Sequence, residues 1–170
     1  MAATESATLT EDELEFLHGM FDLARSGDVD ALVAHVDEGL PVNLTNGAGD
    51  TLLVLAAYHD HPAMVQALLD RGADHSRVND RGQTALVAAV FRRSTASVRA
   101  LLAAGADPDH GARSARQVAA FFALDDVARL LGAGGAAPAA AGETVEPGQT
   151  GHPGQPGEPA PADHPALGGP

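Results

Sequence analysis

Apolar residues recur in this chain in short segments that are separated by turn residues. Within residues 52–69, two such segments place their apolar positions three and four residues apart, as on one face of an α-helix. These positions are Leu53, Ala56 and Ala57 in the first segment and Val65, Leu68 and Leu69 in the second. Pro62 opens the second segment, where its fixed φ suits the first turn of a helix. The pattern predicts two short helices joined by a turn.

The same pair of segments repeats with a fixed period. Gly39, Gly72 and Gly105 lie 33 residues apart. The apolar positions around them recur at the same distance, namely Leu23, Ala56 and Ala89, then Leu32, Val65 and Val98, and then Val36, Leu69 and Leu102. A pair of helices this short cannot cover its own apolar face, so neighbouring pairs stack and share a core. The sequence therefore predicts an all-α stack in which Leu69 and Leu102 belong to the core.

Turn residues separate the successive helix pairs. Residues 46–49 (Asn-Gly-Ala-Gly) and 80–82 (Asp-Arg-Gly) are turn sequences that admit a positive φ. Thr51 and Thr84 follow these turns, where a hydroxyl can cap the free amides of a helix N-terminus. Gly72 comes after the second helix and is placed for a left-handed C-cap. We therefore expect each pair to begin at a threonine cap and to end at a glycine.

Two of the repeats carry a pattern similar to G-x-T-P-L-H-x-A-A…V-x-x-L-L-x-x-G-A-D, which is typical of ankyrin repeats. One match consists of Gly82, Thr84, Leu86, Ala89, Val98, Leu101, Leu102, Gly105, Ala106 and Asp107. The other consists of Gly49, Thr51, Leu53, Ala56, Ala57, Val65, Leu68, Leu69, Gly72, Ala73 and Asp74. The chain thus resembles an ankyrin-repeat protein from about residue 12 to residue 134. This resemblance implies a solenoid of stacked helix-turn-helix units with β-turn fingers.

The chain departs from the ankyrin pattern at two positions of each repeat. Leu52 and Ala85 replace the usual proline, and Val54 and Val87 replace the usual histidine. The hydrogen bond that this histidine makes between neighbouring ankyrin repeats is therefore expected to be absent.

The ankyrin-repeat domain is expected to span residues 11–134, after a flexible N-terminus at residues 1–10. Its four repeats are predicted at about 11–45, 46–78, 79–110 and 111–134. The first repeat lacks the Thr-Pro-Leu-His sequence, as expected of an N-terminal cap, and Thr10 with Glu13 forms a capping box. The fourth repeat lies 29 residues behind the third by the spacing from Gly105 to Gly134. A shortened finger is therefore predicted before it, and its first helix is placed only to within one residue.

Residues 135–170 differ in composition from the rest of the chain. They consist of Gly, Ala, Pro and polar residues, with Val145 and Leu167 as the larger aliphatics. Such a segment cannot bury enough apolar area to offset its chain entropy, so we predict a disordered tail. Two Pro-x-x-Pro patterns between Pro153 and Pro159 match the ligands of polyproline-reading domains. The segment is poor in arginine and aromatic residues, and we favour a spacer or solubilising tail.

The formal net charge of −13 is unevenly distributed along the chain. Residues 1–70 carry thirteen acids against one arginine, whereas residues 71–116 carry eight arginines against four acids. Residues 117–170 are acidic again, with six acids and one arginine. Nucleic acids and anionic membranes both require a cationic surface, so we expect neither as a partner.

Missing residue types exclude several kinds of chemistry. The sequence has no cysteine, which excludes disulfides, zinc thiolates and thiol nucleophiles. It also has no lysine, which excludes a Schiff base and a P-loop lysine. The use of arginine alone, with abundant Ala, Gly and Pro, indicates a GC-rich, bacterial genome. The N-terminus lacks the pattern of a signal peptide and no apolar run has the length of a membrane span, so we expect a cytoplasmic protein.

No catalytic residue, cofactor or metal is predicted. The densest histidine group, His59-Asp60-His61, falls in a turn between two helices, and the sequence assigns it no third ligand. Paired acids at Asp125-Asp126 and at Glu11-Asp12-Glu13 are better explained as favourable charges at helix N-termini. No G-x-S-x-G motif supports a hydrolase. We therefore expect a protein that is not an enzyme, with an undetected hydrolase or metal-binding protein as the remote alternative.

The resemblance to ankyrin repeats implies a protein-binding concave face, formed by the finger tips and the exposed side of the first helices. Mapped onto this sequence, the face comprises Gly47, Ala48, Asp50, Tyr58, His59, Asp80, Arg81, Gln83, Phe91, Arg92, Ala112 and Phe121. Tyr58 and Phe91 occupy equivalent positions, and aromatic residues beside arginines are typical of interface hot spots. The alternative, that Phe91 only covers the turn of its own repeat, stays open.

The predicted function is that of a monomeric module which binds a partner protein through this concave face. Its arginines favour a partner that presents an acidic patch. The alternative is a regulatory or accessory subunit of an enzyme that is encoded nearby, with the tail contributing to the contact.

Overall fold

The computed structural model describes residues 9–134, and this part of the chain contains eight α-helices. They are α1 (Glu11–Ser26), α2 (Val29–Asp37), α3 (Leu52–Tyr58), α4 (Pro62–Leu69), α5 (Ala85–Phe91), α6 (Thr95–Ala103), α7 (Ala115–Phe121) and α8 (Asp125–Gly134). The β-structure of the described part is a single bridge between Thr45 and Thr51. The all-α prediction is confirmed, while the predicted tail at 135–170 and most of the predicted flexible N-terminus lie outside the described residues.

The helices stack in two layers. The first helices of the pairs form one layer, in which α1 packs on α3, α3 on α5 and α5 on α7. The second helices form the other layer, in which α2, α4, α6 and α8 follow one another in the same way. Both layers contribute fully buried leucines to the core, among them Leu32, Leu53, Leu68, Leu86, Leu101 and Leu131. Each described helix is either too short or too polar to cross a membrane.

The second helices bury Val65 and Leu68 as predicted, but they bury Leu69 less completely. Leu68 and Leu101 are fully buried, whereas Leu69 and Leu102 are only partly buried against the edge of the core. Adjacent helical residues point about 100° apart, because a turn contains roughly 3.6 residues, so only one of each pair can face the centre. Leu69 and Leu102, which were predicted to be core residues, therefore pack against the core but are only partly buried.

The predicted helix starts are confirmed. Thr51 and Thr84 cap α3 and α5, with their hydroxyl oxygens accepting from the amides three residues ahead at 3.1 and 3.2 Å. Thr10 and Glu13 form the predicted capping box at α1, and Ser114 forms a second one with Gln117 at α7. These caps set the register of each first helix.

Seven of the eight described helices, α1 to α7, are followed within three residues by a residue in the left-handed conformation. Gly39, Gly72 and Gly105 end the second helices with φ values of 116°, 80° and 94°. At Gly72 the following amide donates to the carbonyl oxygen of Leu68 at 3.0 Å, which is a Schellman ending. The first helices α3, α5 and α7 end in the same way, but at the non-glycine residues Asp60, Arg93 and Ala123, with φ values of 60°, 59° and 50°.

The last pair lies 30 residues behind the third, as its caps Thr84 and Ser114 show. The 29-residue spacing predicted from Gly134 is wrong because α8 continues to this glycine instead of ending before it. The finger before α7 is thus three residues shorter than the finger before α5. This register places Phe121 at the position of Phe91, the last residue of the preceding first helix.

Candidate functional site

The first two fingers are built around equivalent asparagines, Asn46 and Asn79. The side-chain oxygen of Asn46 accepts hydrogen bonds from the amides of Ala48 and Asp50, each at 2.9 Å. Asn79 accepts in the same way from the amides two and four residues ahead, at 3.0 and 2.9 Å. Its amide nitrogen also donates to the buried carboxylate of Asp50 at 2.7 Å. Asp50, which was predicted to contact a partner, therefore holds two fingers together.

Backbone hydrogen bonds connect each finger to the next. The amide of Asp80 donates to the carbonyl oxygen of Ala48 at 3.1 Å, and the amide of Ala112 donates to that of Gly82 at 3.0 Å. A side chain at Gly82 would collide with the Cβ atom of Ala112, so the close approach requires glycine. These bonds join neighbouring repeats in a chain that lacks the usual ankyrin histidine.

An aromatic row, formed by Tyr58, Phe91, Phe122 and Phe121, crosses the ends of α3, α5 and α7. The rings of Tyr58 and Phe91 are stacked, with centroids 6.1 Å apart and planes inclined by 8°. Phe122 contacts Phe91 edge-on at 5.8 Å and Phe121 edge-on at 5.0 Å. Phe121 is 82% exposed and Phe91 is 47% exposed, so much of the row faces solvent. The row continues across three repeats.

Phe122 is the aromatic residue of this row that was not predicted from the sequence. By helix register it corresponds to Arg92, one position after the end of the first helix, so the 33-residue pattern gave it no aromatic equivalent. The Phe-Phe pair at 121 and 122 was the available signal, because two adjacent aromatic residues at a helix end cannot both face the same core.

The aromatic row borders a groove of about 870 Å³ between α5 and α7. Five of the predicted residues line it, namely Arg81, Gln83, Phe91, Ala112 and Phe121. The others are Val87, Arg113, Gln117, Val118 and Phe122. A second hollow of about 280 Å³, between α3 and the finger of repeat 3, is lined by the predicted residues Asp50, Tyr58, His59, Arg81 and Gln83. Arg81 and Gln83 are common to both.

Four predicted residues line neither hollow. Gly47 is exposed at the tip of the first finger, and Ala48 beside it is half-buried. The Asp80 carboxylate lies against Gly49 of the preceding finger. Arg92 places its guanidinium over the ring of Tyr58, 5.8 Å from the ring centroid.

The groove between α5 and α7 is cationic and apolar. Its lining includes Arg81 and Arg113 but no carboxylate. Within residues 9–134 neither guanidinium forms an ion pair, and the same is true of Arg92. By contrast, Arg71 is bound to Asp37 at 2.7 Å. The arginines of this groove are therefore available to an external acidic group.

The histidine group at 59–61 has a structural explanation. The Nε2 atom of His61 lies 2.7 Å from the carbonyl oxygen of Arg25, so it donates a hydrogen bond to the preceding repeat. The His59 ring stacks on the His61 ring at 6.5 Å. Burial lowers the pKa of His59, and the charges of His61, Arg25 and Arg92 lower it further. In the described part of the chain, no three acidic or histidine side chains are grouped as metal ligands.

The stacked pairs, capped fingers and glycine endings agree with a known family. The family model described as ankyrin repeats, in three copies, matches residues 20–112. The chain belongs to the ankyrin-repeat family. Ankyrin repeats generally serve as protein–protein interaction modules, and the family is typically non-enzymatic.

A relative of this ankyrin-repeat chain is an ankyrin repeat protein from Pseudomonas aeruginosa. It is 50% identical over 52 residues, which amount to 31% of this chain and 30% of the relative. The match thus spans about a third of the relative's length. A bacterial relative supports the bacterial origin that the composition predicts.

Proposed function

We propose that this chain binds a partner protein through the concave face of repeats 2 to 4. The observation that carries the proposal is the exposed aromatic row beside the groove, whose arginines have no ion pair within residues 9–134. Exposed aromatic surface costs free energy in water, at roughly 25 cal/mol per Å² of apolar area. Aromatic and arginine side chains are also the residues enriched at interface hot spots. A partner that covers the row would recover this free energy.

The contacts of Phe91 weigh against the alternative in which it only covers its own repeat. Its ring touches Tyr58 of the repeat before and Phe122 of the repeat after, and nearly half of the residue is still exposed. This arrangement supports a surface that spans repeats. The partner is proposed to present an acidic patch to Arg81 and Arg92 and an apolar group to Phe91 and Tyr58.

The accessory-subunit alternative fits the same surface, with an enzyme as the partner. Gene neighbourhood separates it from a general binding module. A cytoplasmic location, a monomeric state and the absence of catalysis, nucleic-acid binding and membrane binding stay predictions of the sequence.

The proposal is tested by photo-crosslinking in the source cells. Phe91 is replaced by benzoylphenylalanine, and Arg99, which is exposed on α6, is replaced in a matched control. We expect a discrete crosslinked protein from position 91 and none of the same mass from position 99. Equal crosslinking at the two positions would count against the concave face.

Kinetics with the captured partner then separate the roles of charge and apolar contact. Arg81→Ala with Arg92→Ala should slow association and flatten its salt dependence, because charge complementarity acts mainly on encounter. Phe91→Ala should accelerate dissociation by the equivalent of about 2 kcal/mol, because a desolvated anchor acts mainly on residence time. Unchanged binding in both variants would remove this face of repeat 3 as the site.

A further inference from the structure

The groove between α5 and α7 has two chemically different ends. Arg81 and Arg113 belong to the fingers that precede Thr84 and Ser114, the caps of the two helices. Phe91 and Phe121 are the last residues of the same helices, so they lie at the opposite end. The groove is therefore cationic at the fingers and aromatic at the helix ends.

The helix length sets the distance between the two ends. Both α5 and α7 have seven residues. At a rise of 1.5 Å per residue, such a helix is about 10 Å long. A chain in the polyproline II conformation covers this distance in about three residues, at roughly 3.1 Å each, and returns a side chain to the same face at every third residue. A peptide lying along the groove would thus place an acidic side chain and an apolar side chain about three positions apart.

The charge of the groove argues for an acidic rather than a neutral occupant. Of the acids in the two fingers, Asp109 pairs with Arg116 at 3.2 Å, and the Asp80 carboxylate lies beside Gly49 of the preceding finger rather than in the groove lining. Guanidinium groups bind carboxylates through paired hydrogen bonds. Arg81 and Arg113 belong to residues 71–116, which carry eight arginines against four acids, so the groove is cationic although the net charge of the chain is −13. Partner carboxylates would supply the missing charge.

We infer that this groove binds an extended acidic segment of the partner protein, in which a carboxylate pair precedes or follows a large aromatic or aliphatic anchor by about three residues. The carboxylates bind Arg81 and Arg113, and the anchor packs among Phe91, Phe121 and Val118. The inference rests on the proposed function and specifies its recognition element as a short linear motif.

The experiment selects peptides from a random twelve-residue library on the full-length chain. We expect enriched peptides to contain acidic residues near one large apolar residue, at a separation of about three. A resynthesised peptide should bind at least tenfold more weakly when both acids are replaced by glutamines, and again when the anchor is replaced by alanine. Lengthening the separation by three residues should weaken binding to a similar degree.

Variants of the chain locate the peptide. Arg81→Gln with Arg113→Gln, and separately Phe121→Ser, should each reduce the affinity at least tenfold, whereas Arg99→Gln should change it less than twofold. Circular dichroism confirms that each variant is folded. The inference would be overturned if the selection enriched no peptide or if the enriched peptides had no excess of acidic residues. Peptide affinity that is unchanged by Arg81→Gln with Arg113→Gln would overturn it as well.

The outcomes distinguish this inference from the proposed function. Peptides that depend on Phe91 and Phe121 but not on the arginines would leave the concave face as the site and remove the acidic motif. Peptides whose affinity is changed neither by the arginine substitutions nor by the phenylalanine substitutions would count against both proposals. If removal of residues 135–170 raised the affinity of the chain for the peptide tenfold, the acidic tail of the chain would be the occupant of the groove. This result would overturn the inference that a segment of a partner protein occupies it. If the chain self-associates with rising concentration, and the double variant Arg81→Gln with Arg113→Gln abolishes this self-association, the occupant of the groove would be a second copy of the chain.

Discussion

Repeats 3 and 4 each consist of a first and a second helix, but their first helices, α5 and α7, are buried to different degrees. In α5 six of the seven residues are buried, whereas in α7 only Ala115, Val118 and Ala119 are buried. The difference arises because α5 packs between α3 and α7, while α7 has a neighbouring first helix on one side only among residues 9–134. The local sequence contributes as well, because Arg116 and Gln117 of α7 take the positions of Leu86 and Val87 in α5.

The largest test of this comparison replaces equivalent leucines in the second helices. Leu101 and Leu131 are both fully buried, one in repeat 3 and one in repeat 4. Leu101→Ala should lower the free energy of unfolding by about 2 to 5 kcal/mol, as cavity-forming changes do. Leu131→Ala should have a smaller effect on this global value, because a terminal repeat can unfold alone. Urea denaturation with amide exchange measures both.

Leu102→Ala is the matched control for this test. Leu102 is adjacent to Leu101 and only partly buried, so its truncation should cost less. Equal losses for Leu101 and Leu102 would show that the assigned core register is wrong.

The fingers provide a second test, because the asparagine at the centre of the finger in repeat 3 has no counterpart in the shorter finger before α7. Asn79→Ala removes the acceptor of two amides and the donor to Asp50, which should cost about 1 to 3 kcal/mol. Thermal unfolding followed by circular dichroism measures the loss. Asn43→Ala, which removes one exposed bond to the Asp74 amide, should cost less. Equal stability of the two variants would contradict the conclusion that Asn79 stabilises the finger.

A smaller effect is expected where α7 turns back at Ala123. This residue has a φ of 50°, a conformation that glycine adopts without strain. Ala123→Gly should relieve about 1 to 2 kcal/mol of left-handed strain and lose about 0.4 to 1 kcal/mol through the more flexible unfolded chain, so a small net stabilisation is expected. Ala120→Gly, within α7, should destabilise it by up to about 1 kcal/mol. The melting temperatures of the two variants should move in opposite directions.

The smallest effect is expected from removing the tail. Residues 135–170 contain almost no large apolar side chains, so truncation after Gly134 should leave the helical circular dichroism per molecule and the melting temperature nearly unchanged. A fall of more than a few degrees would mean that a segment of the tail contributes to the folded domain.

The helix pairs were predictable because their signals are local. Thr51 and Thr84 cap helices through residues three positions ahead, and the glycines recur at a fixed period. The choice between Leu68 and Leu69 was not predictable, because both fit an apolar stripe and only the neighbouring repeats decide which one faces the centre. The Asn79–Asp50 bond and the contact between Phe91 and Phe122 join residues about thirty positions apart, so no short pattern reveals them.

Two of the links between the fingers use main-chain atoms alone, and these links do not depend on the side chains that would contact a partner. The Ala48–Asp80 and Gly82–Ala112 bonds require a backbone amide and a backbone carbonyl, whatever side chains are present. Arg81 can therefore change in identity without loss of these bonds, whereas Gly82 cannot accept a side chain against Ala112. Substitutions at the finger tips can therefore change which partner the surface binds while the backbone bonds between the repeats are kept. For protein engineering, positions 81 and 113 are therefore suitable sites to randomise, and Gly82 should be held fixed.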